Sequence, residues 1–311
     1  MEKITDQNTS LNFFFDEHYR EYASVHKKSF YHDEVTFNRH LRNGLGKTPM
    51  SAISVKQIEK WVLNQKKEGY KNTTINKHIV LLKRLFNLAE RWDFKDVKTG
   101  NINRIRKLFE GEPTQHFLSQ EDLSIILKEC DNSDNLFLGK IVRFLILTGC
   151  RKGEALQACW SQIDLQFGIW TVPMTKNGRP RRIFISSTCR DFLQKLVEFR
   201  SGFKLSSTGN DPLFTNLNSG RPYKCIQTAW MYAKKSCGKE QVRIHDLRHT
   251  FASHAAMNKE TLPMIGRLLG HANHQSTARY AHLDDDHLLD ATQQIGDAVE
   301  RMCGGNQSLW N

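Results

Sequence analysis

The chain has 311 residues, enough for two domains that each bury a core, and its 39% apolar and 25% charged residues are ordinary for a folded protein. Its 45 Lys and Arg against 33 Asp and Glu leave a formal charge of +12, which points to a polyanionic partner, nucleic acid first. A membrane span, a secretion signal, a disulfide frame and a zinc ribbon are disfavoured: no apolar run is long enough, the start is acidic, and the seven Cys are scattered without a C-x-x-C pair, as in a reduced, cytoplasmic chain.

Residues 1–10 are polar and expected to be loose. Residues 11–95 read as four helices. The first two, LNFFFDEHYREYASVHKK and FYHDEVTFNRHLRNGLG, bury Phe14, Tyr19 and Tyr22 and stop at Gly44 and Gly46. The third starts on Ser54 as N-cap, with Ile58, Trp61 and Val62 at helical spacing. The fourth starts at Thr73 or Thr74, with an apolar stripe of Ile75, Ile79, Leu82, Leu85, Phe86 and Ala89. Lys27, Lys28, Arg39, Arg42, Lys66, Lys67, Lys71, Lys77, Lys83 and Arg84 cover the exposed faces of this bundle; a solvated face and a DNA-facing surface fit them equally well. Residues 96–115 combine Gly100, Gly111, Pro113 and the basic Arg104, Arg106 and Lys107, and read as a basic linker, either a clamp around DNA or an ordinary tether.

The second domain, residues 116–283, opens on a helix capped by Ser119, with Asp122 at the capping-box position. LFLGKIVRFLILTG is a nearly continuous apolar helix and should be buried. Residues 163–185 alternate between the turns Phe167-Gly168 and Asn177-Gly178, which predicts a small antiparallel sheet of three strands. Helices resume near Ser187 and after Tyr223, and residues 284–311 form a C-terminal amphipathic helix and tail, with Leu288, Leu289, Ala291, Ile295 and Val299 on one side. The fold class is therefore mainly α with a small antiparallel β-sheet.

Four stretches carry chemistry. In TGCRKGEAL, Arg151 follows a rigid helix and can bind a phosphate bidentately, with Glu154 three residues on to orient it; taken alone, a surface Arg–Glu pair is the commoner meaning. In MTKNGRPRR, Lys176 sits at a hairpin tip, where it can enter a groove and protonate a leaving oxygen, though solvated lysines also favour such tips. In HDLRHT, His245 and Arg248 lie three apart at a helix N-terminus that favours an anion, with Asp246 serving the same turn and His249 adjacent; a satisfied core His is the alternative for His245. In TLPMIGRLLGH, Thr261 caps a helix that tolerates Pro263 and ends at Gly270, so His271 emerges from a helix end, whose dipole it could equally compensate; Tyr280 then follows a Ser/Thr start on a short helix.

Taken together, these stretches resemble the tyrosine recombinases, the phage-integrase family. TGCRKGEAL is similar to the family's first arginine box, MTKNGRPRR to its hairpin lysine, HDLRHTFASH to its second box, and LLGHANHQSTARY to the segment ending in the nucleophile, over about residues 11–300. The resemblance implies an N-terminal four-helix core-binding domain and a C-terminal catalytic domain. It fills six functional positions with Arg151, Lys176, His245, Arg248, His271 and the nucleophile Tyr280, supported by Glu154, Asp246 and His249. It also implies two transesterifications through a 3′-phosphotyrosyl link, no cofactor or metal, specific core sites in double-stranded DNA, and a homotetramer on two duplexes joined through the C-terminal helix. Only about ten residues precede the first helix, so an arm-binding domain like that of larger phage integrases is not expected.

Integration or excision of a phage or mobile element is the first expectation; chromosome-dimer resolution and inversion stay open. Two rivals come from other classes. A metal-dependent phosphodiesterase would use the dense His245, His249, His254, His271, His274 and His282 with Asp284 to Asp286, but no metal-ligand spacing recurs and Arg248 would repel a divalent ion. A non-catalytic DNA-binding protein would not need all six groups. A type IB topoisomerase shares the chemistry but fits the C-terminal helix less well.

Overall fold

The computed structural model describes residues 9–94, 97, 99–111, 117–173, 180–271, 273, 276–278, 280, 281 and 285–302; Lys176 and the turn at Asn177-Gly178 lie outside these, as do residues 1–8. The chain divides into two compact units, Met1–Pro113 and Thr114–Asn311.

The first unit is a helix bundle. Ser10 accepts from the Phe13 N–H at 3.2 Å and starts a continuous helical run, α1, residues 11–26, whose middle, Phe14–Tyr19, is π-wound. The second run, α2, residues 30–41, also turns π-helical at Phe37–Leu41, earlier than the glycine stop at Gly44 suggests. A π-turn inserts a residue and re-aims the side chains around it; here Phe15 and Phe37, one from each π segment, stack with centroids 3.8 Å apart and planes 6° from parallel. Ser54 caps α3 (Val55–Lys67) in a full capping box with Gln57, and α4 (Asn72–Arg91) buries the whole predicted stripe, starting a residue before Thr73. One carboxylate joins three of these helices: Asp33 on α2 accepts from Tyr19 at 2.6 Å, Lys27 at 2.5 Å and Arg84 of α4 at 3.0 Å. Burial and that carboxylate push the Tyr19 phenol above its ordinary range.

The basic stretch after α4 differs from a plain tether. Val97, Ile102 and Ile105 are buried in the bundle core around the short α5 (Gly100–Asn103), and Asn76 clamps Leu108, donating to its carbonyl and accepting its N–H, each at 2.8 Å. Three aliphatic residues among the charges dock the segment and leave Arg104, Arg106 and Lys107 exposed.

The second unit packs α6 (Gln120–Asp131), α7 (Leu138–Thr148), α8 (Lys152–Leu156), α9 (Ser187–Ser201), α10 (Gln227–Ser236), α11 (Ile244–Met257), α12 (Leu262–Leu269) and α13 (Asp285–Met302) with a sheet of β1 (Ile163–Asp164), β2 (Ile169–Val172) and β3 (Arg181–Phe184). The strands run antiparallel in the order β1-β2-β3, with Trp170 opposite Ile163 and Ile183. The apolar helix α7 lies at the centre, against α6, α9 and α11, and Phe144 meets Trp170 at 5.1 Å. A second hairpin, β4 (Thr215–Asn216) with β5 (Arg221–Pro222), gives too little apolar alternation to be read from sequence. The loop before it is held by Arg200, 1% exposed, which donates to the Ser206 and Leu213 carbonyls and the Ser207 and Thr215 hydroxyls. Ser119 caps α6, and the Asp122 carboxylate, paired with Lys239 at 2.5 Å and also hydrogen-bonded by the Ser119 backbone, is held below its ordinary range. No helix among the described residues is long and apolar enough to cross a membrane.

Two left-handed glycine caps frame the region of the arginine boxes: Gly149, φ 58°, ends α7, and Gly270, φ 65°, ends α12. A Cβ on Gly149 would also lie 2.5 Å from the Phe251 ring. Gly149→Ala should therefore lose about 2–4 kcal/mol from backbone strain and overpacking together, lowering Tm of the full chain by roughly 5–12 °C; an unchanged melt would contradict the packing. In the first unit, burial holds the His78 imidazole down to about 4, beside His40, which stacks on it at 4.1 Å and is lowered in the same direction by its own burial. The unfolded chain takes up these protons near pH 6.5 and the folded chain does not. Stability is fully present above pH 6.5 and falls as pH drops toward 4, by about 3 kcal/mol for His78. Urea midpoints measured from pH 7.5 down to 5 should decline accordingly, and less so in His78→Phe.

Candidate active site

The sequence places a cation after each of two helix ends, and the fold turns both toward the same few carbonyls. Helix α7 ends at the Gly149 cap and delivers Arg151 in extended backbone at the start of α8. The Glu154 carboxylate closes this turn, accepting the Arg151 N–H at 2.9 Å and its guanidinium at 3.0 Å. The second box repeats the device: Asp246, fully buried, accepts the Arg243 N–H at 2.8 Å and its guanidinium at 2.7 Å, fixing the N-terminus of α11. His245 is exposed on the first turn of α11, and Arg248, one turn deeper, is 4% exposed.

Arg248 donates to the Gly149 carbonyl and to the Leu269 carbonyl, each at 2.7 Å, and so joins the C-terminal ends of α7 and α12. Helix ends leave such carbonyls without partners and with partial negative charge. Burial, then the neighbouring Arg151 and Arg181 charges, lower the Arg248 guanidinium to about 10, still protonated at neutral pH. Arg151 reaches the same floor through the Gly270 carbonyl at 3.4 Å.

A residue absent from the sequence reading completes the cluster. Arg181, at the start of β3, donates to the Leu269 carbonyl at 2.8 Å and to Glu154 at 2.7 Å. Burial pushes the Glu154 carboxyl up, but the Arg181 hydrogen bond, the Arg151 N–H and the two guanidinium charges overcome this and hold it below its ordinary range. The signal for Arg181 was its place two residues before Ile183: in a strand the two share a face, and Ile183 is in the core. An arginine on the inward face needs a partner.

The nucleophile candidate lies beside this cluster. Tyr280 is 2% exposed and packs with Ala252, Ala256, Ile265 and Leu269 in a small core between α11 and α12, on the expected short helix, here 3₁₀-wound, with its own N–H on the Thr277 carbonyl at 3.0 Å. Its hydroxyl is 2.7 Å from Nδ1 of His249, the residue after Arg248. His245 meets His249 edge to face at 4.8 Å. His271 leaves the Gly270 cap as predicted, and its Nδ1 lies 2.8 Å from the Thr277 hydroxyl, a second contact for which the sequence offers no signal. The fold thus gathers Arg151, Glu154, Arg181 and Arg248, and places Tyr280 on His249; Lys176 is outside the described residues. Among the described residues no group of three or more His, Cys, Asp or Glu side chains converges as metal ligands would.

The two arginines should respond differently to truncation. Arg248→Ala strands two buried carbonyls and should destabilise the fold by about 2–4 kcal/mol, whereas Arg151, with its side chain 32% exposed, should change Tm little when replaced by Ala. Thermal melts of both variants check this, and a larger loss in Arg151→Ala would contradict it.

Comparison with known proteins agrees with this geometry. Residues 116–287 match the model of the phage integrase family. The chain is 33% identical over 224 residues to the integrase of Haemophilus phage HP1 (strain HP1c1), covering 72% of this chain but only 60% of that one. It is 26% identical over 276 residues to the tyrosine recombinase XerC of Staphylococcus carnosus (strain TM300), covering 86% of this chain and 90% of that one. In fold it is similar to a Tn1549 transposon integrase fragment in complex with transposon right-end DNA, with TM-score 0.74 and 18% identity over 93% of this chain and 100% of that one. By the match of its residues 116–287, more than half of its length, the chain belongs to the phage integrase family.

Proposed function

We propose that the chain is a site-specific DNA recombinase that cuts and rejoins strands through a 3′-phosphotyrosyl intermediate, in the integration or excision of a phage or mobile element. The observation that carries this is the adjacency of Arg248 and His249 on α11: one holds the arginine pocket together, and the next touches the phenol of Tyr280.

The Tyr280 oxygen attacks the scissile phosphorus while the bond to the 5′-oxygen breaks. The phenolic proton passes to a histidine, His245 or the hydrogen-bonded His249, because a phenol with an ordinary value near 10 is a weak nucleophile at neutral pH. Lys176 supplies the proton to the leaving 5′-oxygen. Arg151 and Arg248 neutralise the non-bridging oxygens as charge builds in the pentacoordinate state, and His245 and His271 hydrogen-bond the same phosphate. The freed 5′-hydroxyl of the partner strand reverses the step. Bond energy stays in the phosphotyrosyl link, so no nucleotide cofactor is required.

Double-stranded DNA with specific core sites is the substrate, and the basic bundle is its second contact surface. Helix α13 exposes Ile295 (65%) and Val299 (42%), an apolar face suited to a neighbouring protomer in a tetramer on two duplexes. Chromosome-dimer resolution or inversion is the second reading.

Covalent trapping tests the proposal. Wild type and Tyr280→Phe, incubated in chelator with nicked DNA from the flanks of the gene, should give an SDS-resistant adduct for wild type alone; an adduct that persists in Tyr280→Phe refutes the assignment. Binding should also weaken with salt on a log–log slope of about −0.9 for each phosphate contact, and a flat response would remove the DNA clamp.

A further inference from the structure

Glu154 presents a problem that Arg181 solves. The carboxylate is 8% exposed, and a buried carboxylate draws the nearest guanidinium onto itself. With Arg151 as its only cation, Glu154 would spend on itself the charge that Arg151 is to offer a phosphate. Arg181 changes this. It bonds Oε2 of Glu154 at 2.7 Å with one terminal nitrogen and the Leu269 carbonyl at 2.8 Å with the other, its side chain 12% exposed. Its Nε is buried with no hydrogen-bond partner among the described residues, so the side chain forgoes one bond to hold this position. Gly270 is shaped to the same end: a Cβ there would lie 2.4 Å from the Arg181 guanidinium.

Charge sharpens the point. Among the described residues, Arg151, Arg181 and Arg248 against Glu154 leave two positive charges in the pocket, since Asp246 is paired with Arg243. A phosphodiester carries one negative charge, and its pentacoordinate transition state carries two. Removing Arg181 takes one positive charge from this group, a loss that a dianionic transition state feels more than a monoanionic bound phosphate.

We propose that Arg181 is a positioning residue for strand cleavage: by bridging Glu154 and the end of α12 it takes up part of the carboxylate charge that Arg151, bonded to Oε1 at 3.0 Å, would otherwise neutralise alone, and it adds one positive charge to the pocket for the transition state. The assignment rests on the transesterification reading above. It places the root of β3 in the same hydrogen-bonded unit as the arginine pocket.

The test is single-turnover adduct formation by the full chain on nicked DNA whose scissile position is either an ordinary phosphodiester or a methylphosphonate, which carries one negative charge fewer in both ground and transition state. R181Q should slow cleavage of the phosphodiester by roughly 10²-fold, with DNA binding changed by less than about threefold, and the loss should shrink to under about tenfold on the methylphosphonate. R181K, which keeps the charge but reaches only one of the two acceptors, should show a smaller loss with the same preference, and it serves if R181Q does not fold. Equal losses on the two substrates, or none, overturn the proposal. Absence of an adduct with wild type overturns the transesterification reading itself, which separates the two failures.

Discussion

Guanidinium groups gathered in a desolvated pocket repel one another, so something must hold them there. In this chain it is the carbonyl of Leu269, at the end of α12, which accepts from both Arg181 and Arg248. Helix C-termini leave carbonyls unsatisfied, and buried arginines leave donors unsatisfied; each cancels the other's cost. The Gly149 carbonyl serves Arg248 in the same way, and the Glu154 carboxylate adds the one full negative charge that makes three arginines tolerable. The left-handed caps at Gly149 and Gly270 are what turn the chain at these ends.

The same economy places the tyrosine. Consecutive residues on α11 face different neighbours: Arg248 reaches the ends of α7 and α12, and His249 reaches the Tyr280 hydroxyl. Because the Tyr280 ring is packed between α11 and α12, the helix that carries Arg248 also sets the position of the phenol. A rotation of α11 would disturb both together, which makes that helix the element by which packing in the second unit is converted into geometry at the site. Asp33 has the corresponding role in the first unit, where this one carboxylate on α2 holds side chains from α1, from α4 and from Lys27 between α1 and α2.

Much of this was legible in local chemistry. The caps at Ser54, Ser119, Thr261 and Gly270, the stripe of α4, the buried α7 and the alternation of β1 to β3 follow from hydrogen-bonding capacity and apolar periodicity acting over a few residues. What local chemistry did not show has one cause. Two-residue strands carry no period, three aliphatic residues among charges are too few to announce a docked segment, and the Lys239 partner of Asp122 lies 117 positions away in the chain.

By itself the sequence determined which residues have the chemistry: an arginine with a carboxylate three residues on, a His-Asp-Leu-Arg run at a helix start, an imidazole after a helix-ending glycine, and a tyrosine nine residues later. Residue type and near-neighbour spacing are local properties, and they survive without a fold. Only tertiary structure decided which of them meet. That Arg181 joins the cluster, that His249 holds the phenol, and that Thr277 holds His271 depend on contacts across 88, 31 and 6 positions, set by how α11, α12 and β3 pack. Hydrogen bonds reach about 3 Å, and only packing brings distant positions within that range.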